Sequence, residues 1–373
     1  MQTRFPLGLA LLVTLALGAC GGDKKSPPTS TPPSAPPPTK PIQAPRNTWT
    51  WVDFPDSSCG DGSTTGIGMN PGDSSNVLVF LEGGGACWSY DTCVGPGARV
   101  LRAFGSAEFA IVSTTLQSGV TFQHSVLDRA EALNPFRDWS FVYVPYCTGD
   151  VHTGNNVMLY QDPQGTTHPF HHVGHQNVQA FLKRLAATFP GPGKLVVSGT
   201  SAGGFGAVAN FDTFRTFWPT GQLYLIDDSG PPLEGSEAAA RIGFFDRSWN
   251  IYQALDAFCP DCRQDLSNGF VALSAKYPED RISLLSYQRD SVIPLFFSMT
   301  PDLFAARLLV TTQVIDPLPS TRYFLFGGTA SGSPSGHTLL RSPASFTLDG
   351  VGLWDFIGQQ VNDSSDWRSH AAP

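Results

Sequence analysis

The chain has 373 residues, of which 41% are hydrophobic and only 14% charged, with a formal net charge of −8. A disordered chain is excluded, because disorder goes with low hydrophobicity and high charge. With 23 Lys and Arg against 31 Asp and Glu, and no basic run beyond Lys24-Lys25, a nucleic-acid partner held through its phosphates is excluded too.

Residues 1–19 read as an export leader. Arg4 precedes an apolar run from Leu7 to Leu17, too short for a bilayer span, which takes about 20 apolar residues. The tetrapeptide Leu17-Gly18-Ala19-Cys20 resembles a bacterial lipobox, so Cys20 is expected to carry lipid and to begin the mature protein. Gly21, rather than Asp, resembles lipoproteins sent on to the outer membrane. Residues 20–45 then form a tether, with nine prolines among Ser and Thr between 26 and 45; such a segment is stiff and cannot build a core. The rest, 46–373, has no second proline tract and no repeat. It is expected to be one domain, monomeric, held at the cell envelope by the lipid.

Within that body, short apolar runs at Val77–Leu81, Phe141–Val144, Leu195–Ser198, Leu223–Ile226, Ile282–Ser286 and Tyr323–Phe326 predict strands. They lack polar/apolar alternation, which points to a parallel sheet covered on both faces. Helical spacing over Asn177–Phe189, and helix-compatible runs at Phe205–Phe217 and Ala238–Phe258, place helices between strands. That alternation predicts an α/β fold with right-handed crossovers.

The first predicted strand runs into Glu82-Gly83-Gly84-Gly85, whose glycines leave backbone N–H groups exposed. The third runs into Gly199-Thr200-Ser201-Ala202-Gly203 and then a helix. This is a G-x-S-x-G elbow in the strand–turn–helix setting it requires, with a serine hydroxyl raised above the sheet edge. A serine needs a base and a group to orient that base. In α/β-hydrolases these follow in the order Ser, acid, His. Only His337 and His370 come after Ser201; His337, in the Gly-rich loop Gly327–His337, is the better placed. Asp290 and Asp228 both follow strands; the acid of this fold follows the strand next but one to the elbow, which favours Asp290. Asp227 and Asp228 would then shape the rim of the pocket. Ala202 and the 82–85 loop are the expected oxyanion donors.

Removing Cys20 leaves Cys59, Cys87, Cys93, Cys147, Cys259 and Cys262, an even set suited to disulfides in an exported protein. Of the 15 connectivities, the local choices are Cys87–Cys93 and Cys259–Cys262, leaving Cys59 with Cys147. His168, His171, His172 and His175 have a spacing that suits zinc or copper. With neither HExxH nor a nearby carboxylate pair, they are expected to line a loop or pocket before the next helix. No metal and no cofactor are expected. Trp88, Tyr90 and Trp249, and more broadly segments 86–110 and 231–262, are candidates for the pocket wall.

Six blocks together resemble the pectin acetylesterase family, which also contains the Notum carboxylesterases. They are LEGGGACW (Leu81–Trp88), VPYCTGD (Val144–Asp150), GTSAGG (Gly199–Gly204), DDSGPP (Asp227–Pro232), SYQRD (Ser286–Asp290) and SPSGH (Ser333–His337), in family order. The resemblance implies an α/β-hydrolase-like fold and cofactor-free ester hydrolysis by Ser201, Asp290 and His337, with Gly84, Gly85 and Ala202 as oxyanion donors. Two departures stand out: Ala86 replaces the aromatic residue that plant members carry before the first motif cysteine, and Pro231-Pro232 replaces an aromatic segment. The expected substrate is an acylated carbohydrate or a small ester. The competing readings are a glycan-binding lipoprotein without catalysis and a metal-dependent hydrolase using the 168–175 histidines.

Overall fold

The computed structural model describes residues 40–118, 125–327 and 336–373. The leader, Cys20, residues 21–39 of the expected tether and residues 328–335 of the loop before His337 lie outside them. Among the described residues no helix is long and apolar enough to cross a membrane.

In chain order the strands are β1 (Thr50–Phe54), β2 (Thr65–Asn70), β3 (Val77–Leu81), β4 (Ser140–Val144), β5 (Asn156–Gln161), β6 (Thr167–His172) and β7 (Leu195–Thr200). They continue with β8 (Leu223–Asp228), β9 (Arg281–Tyr287), β10 (Thr321–Phe326), β11 (Thr347–Leu348), β12 (Val351–Gly352) and β13 (His370–Ala371). Nine of them form the central sheet in the order β1-β2-β4-β3-β7-β8-β9-β10-β13. From β4 to β13 all neighbours run parallel, and β1 and β2 add an antiparallel edge.

The six apolar runs all fall within strands of this sheet, and their composition follows from burial on both faces. In β3, Val77, Val79 and Leu81 join one core while Leu78 and Phe80 join the other. In β8, Leu223 and Leu225 face the first core, Tyr224 and Ile226 the second. Successive side chains point to opposite faces, so a strand covered on both sides turns neither row to water and can be apolar at successive positions. Helices Gly174–Thr188, Ala202–Phe217 and Pro301–Ile315 cover the first face, and Leu353–Val361 packs on the second. Truncating one of these core leucines to alanine is worth about 2–5 kcal/mol.

Three expectations change. The predicted helix over Ala238–Phe258 breaks into Ser236–Trp249 and Tyr252–Leu255, because Asn250 adopts a left-handed conformation (φ 56°) that ends the first helix. The folded body takes in residues before 46: Ile42 is buried in the core and its N–H donates to Thr188 Oγ1. The histidine run does not lie in a loop. His168, His171 and His172 lie on β6, paired with β5 in a hairpin, and His175 opens the helix that follows.

Candidate active site

The loops that follow β3, β7, β8, β9 and β10 all leave the sheet at its carboxyl edge, where open α/β sheets place their ligands. Ser201 leaves β7, a central strand, in a backbone conformation (φ 56°, ψ −119°) rarely adopted by a side-chain-bearing residue. Holding it costs about 1–3 kcal/mol and requires support from both sides. Gly203 supplies one support, since a Cβ there would collide with the carbonyl oxygen of Leu81. The other is a hydrogen bond from Ser201 N–H to the Asp228 carbonyl at 2.7 Å.

Asp290 lies after β9, two strands from the elbow, and is completely buried. Its Oδ1 accepts from the N–H groups of Val292 (2.8 Å) and Ile293 (2.9 Å). Its Oδ2 lies 2.8 Å from Nδ1 of His337. A carboxylate only accepts, so the imidazole proton sits on Nδ1 and the lone pair on Nε2. The histidine segment is fastened to the elbow through the residues after β8. Asp228 accepts from the N–H groups of Leu339 and Leu340, each at 2.8 Å, and Ser229 Oγ accepts from Thr338 N–H. Among the described residues no hydrogen bond joins the Ser201 hydroxyl to the His337 ring. In ligand-free enzymes this contact is often long and tightens with substrate.

Asp228 therefore does not shape the rim. It and Asp227 are fully buried, and the carboxylate of Asp228 serves as a strut between the elbow and the histidine segment. Burial raises the Asp228 pKa to about 6, while the backbone donors and His337 pull it the other way.

The glycine loop is pinned just as densely. Gly84 and Gly85 take φ +154° and +82°, values open to glycine. The Tyr146 hydroxyl donates to the Gly85 carbonyl (3.0 Å) and accepts from Val151 N–H (2.7 Å). A ring nitrogen of His152, Nε2, lies 2.8 Å from the Glu82 carbonyl and donates to it. The Trp249 indole donates to the Cys87 carbonyl (2.7 Å), and the Cys87–Cys93 bridge closes the loop. Arg341, four residues beyond His337, reaches back to Glu82 at 2.9 Å. The other two bridges are Cys59–Cys147 and Cys259–Cys262.

Beside Ser201, Ala202 and Gly85 lies a small cavity of about 30 Å³ walled by Ala86, Val151, Phe205, Ile242, Phe245, Trp249, Ile293, Phe296 and Phe297. Of the aromatic candidates only Trp249 reaches it. Trp88 stands behind the wall, its ring 5.0 Å from Phe245 and its face under the Arg241 guanidinium. Tyr90 packs on His168 instead. Val151, Phe205, Ile293, Phe296 and Phe297 are not among the candidates; for the last three the apolar run directly after Asp290 was the available signal.

The histidine run does not converge. His168 pairs with Asp162 (3.0 Å), and His172 is held by the Thr148 carbonyl and the Tyr160 hydroxyl, each at 2.9 Å. His175 is held by Asn210 (2.7 Å) and Gln179 (3.0 Å). Cys87, Cys93 and His172 do come together, but the two sulfurs are joined to each other.

The chain is 30% identical over 171 residues to a palmitoleoyl-protein carboxylesterase Notum of Schmidtea mediterranea, which covers 43% of this chain and 30% of the relative. It is 28% identical over 185 residues to pectin acetylesterase 11 of Arabidopsis thaliana, covering 48% and 44%. The matched region thus spans less than half the length of these relatives. In structure, the Wnt deacylase Notum from Drosophila superposes with a TM-score of 0.58 at 14% identity, over 87% of this chain and 100% of that one, a likeness of fold. The pectinacetylesterase sequence profile matches residues 49–266, more than half of the chain, and the protein belongs to that family.

Proposed function

We propose that the protein is a serine carboxylic-ester hydrolase acting through an acyl-enzyme. Ser201 Oγ attacks the ester carbonyl as His337 Nε2 takes its proton. Asp290 fixes the tautomer and stabilises the imidazolium. The developing oxyanion is met by N–H groups of Gly84, Gly85 and Ala202. The alcohol leaves with the proton from His337; water, activated by the same ring, then releases the acid. The acyl group enters the apolar cavity, and the alcohol half, a carbohydrate or a small alcohol, stays outside. With Cys20 lipidated, as the lipobox-like leader implies, the reaction takes place at the cell envelope.

The observation that carries this reading is the Asp228–Ser229 strut. It ties the strained serine and the Asp290-paired histidine, distant in sequence, to one point at the carboxyl edge of the sheet. A metal route through residues 168–175 is disfavoured, because the ring nitrogens of His172 and His175 already have neutral partners. The test is Ser201→Ala in purified protein. Hydrolysis of p-nitrophenyl acetate should fall by about 10³-fold or more, and labelling by a fluorophosphonate should vanish. Retained turnover removes the triad. Saturable glycan binding without turnover of any ester replaces the enzyme with a binding protein.

A further inference from the structure

Behind the cavity at Ser201 lies a second one of about 50 Å³, lined by Thr153, Val208, Ile251, Leu255, Phe258 and Leu266 among others. Three side chains face both: Val151, Phe205 and Ile242. Val151 is fixed, its backbone at φ 50° and its N–H bonded to Tyr146. Ile242 is packed in the core of the Ser236–Trp249 helix. Phe205 carries the largest side chain of the three. It sits one turn past Ser201, its N–H bonded to the Ser201 carbonyl, and its ring lies 6.0 Å from Phe297.

The sizes make this partition consequential. One water needs roughly 10–15 Å³, so the front cavity of about 30 Å³ has room for the tail of an acetyl to butyryl group. The rear cavity is larger, and its named walls are almost all hydrocarbon. An aliphatic chain is the ligand such walls favour, since it gains burial without leaving a polar group unpaired.

We infer that Phe205 is the stop that sets acyl length. It limits the natural substrate to short-chain esters, and opening it joins the two cavities into a site for medium-chain aliphatic acyl groups. The inference rests on reading Ser201 as the residue that carries the acyl group.

Two measurements separate the stop from the hydrolase reading. In a Ser201→Ala background, where no turnover is needed, calorimetry with butyrate and octanoate reads the cavity directly. Octanoate should bind only once Phe205→Ala is added. In the active protein, the ratio of kcat/KM for p-nitrophenyl octanoate over acetate should rise about tenfold or more with Phe205→Ala, and less with Phe205→Leu. Ile242→Ala opens the partition from the opposite helix, and a melting curve confirms folding of each variant. Octanoate binding that appears without turnover of any ester keeps the stop and removes the hydrolase. Octanoate that binds equally well with Phe205 in place, or a ratio that none of the three substitutions moves, overturns it.

Discussion

The two halves of the candidate site are held by different forces. The elbow around Ser201 is fixed first by sterics, because Gly203 lets the helix backbone meet β3, with one backbone hydrogen bond to the Asp228 carbonyl beside it. The histidine segment is fixed by hydrogen bonds to buried carboxylates, with Asp290 on the ring and Asp228 on the backbone just beyond it. Steric support is all or nothing, whereas polar support can be weakened by degrees and responds to pH. The nucleophile is therefore the part this fold cannot retune, and the base is the part it can.

The largest effect should come from breaking the steric half. Gly203→Ala adds one methyl against the Leu81 carbonyl, and we expect a loss of about 3 kcal/mol with activity gone, read by thermal melting. The polar half should yield more gently. Asp228→Asn can keep an oxygen at the Oδ2 position, which takes both N–H groups, but it puts an amide N–H₂ where Oδ1 accepts from Leu339 N–H and the Ser229 hydroxyl. That costs about 1–3 kcal/mol before relief of the buried charge is counted. The protein should fold and turn over p-nitrophenyl acetate more slowly, with the loss in kcat rather than KM.

The smallest effect is in the pH dependence of stability. Burial raises Asp150, Asp228 and Asp280 each to about 6, and also raises Asp227 and Glu82. These groups hold protons more tightly folded than unfolded; the contribution of Asp150, Asp228 and Asp280 is full below about pH 4 and is lost as pH rises through 6, and Asp227 and Glu82 act in the same direction. His152 and His172 are lowered by burial to about 4, and His175 is lowered too. The contribution of His152 and His172 is full above about pH 6.5 and is lost as pH falls through 4, and His175 acts in the same direction. The slopes oppose each other in one window, with the carboxyl groups in excess. The melting temperature should therefore drift down from pH 4.5 to 6.5, and His172→Gln should steepen the drift by removing an opposing group. A rising melting temperature over that range would contradict the assignment.

What the sequence discloses follows the same division. The doubly buried strands are legible because hydrocarbon on both faces leaves a continuous apolar run, and the elbow is legible because its glycines are required within a few residues of the serine. The β5–β6 hairpin is not: His and Pro in THPFHH read as loop, and their pairing with Asn156–Gln161 depends on register alone. Asp227 and Asp228, at a strand end, read as residues of the pocket rim. Asp227 finds its donor close by, in Gly230 N–H, but the N–H groups that receive the Asp228 carboxylate, those of Leu339 and Leu340, lie more than a hundred residues further on, and no local spacing encodes that. Phe205 looks like one more apolar position of a helix until two cavities are seen on either side of it.

One detail of the elbow ties folding to chemistry. The helix that begins at Ala202 has no side-chain cap, because the residue in the capping position is Ser201 and its hydroxyl makes no bond back to the helix. Helices left this way usually forfeit about 1 kcal/mol. In the proposed reaction the missing partner arrives from outside: the negatively charged oxygen of the tetrahedral intermediate meets the N–H of Ala202, and for the lifetime of that species the helix is finished by its own substrate.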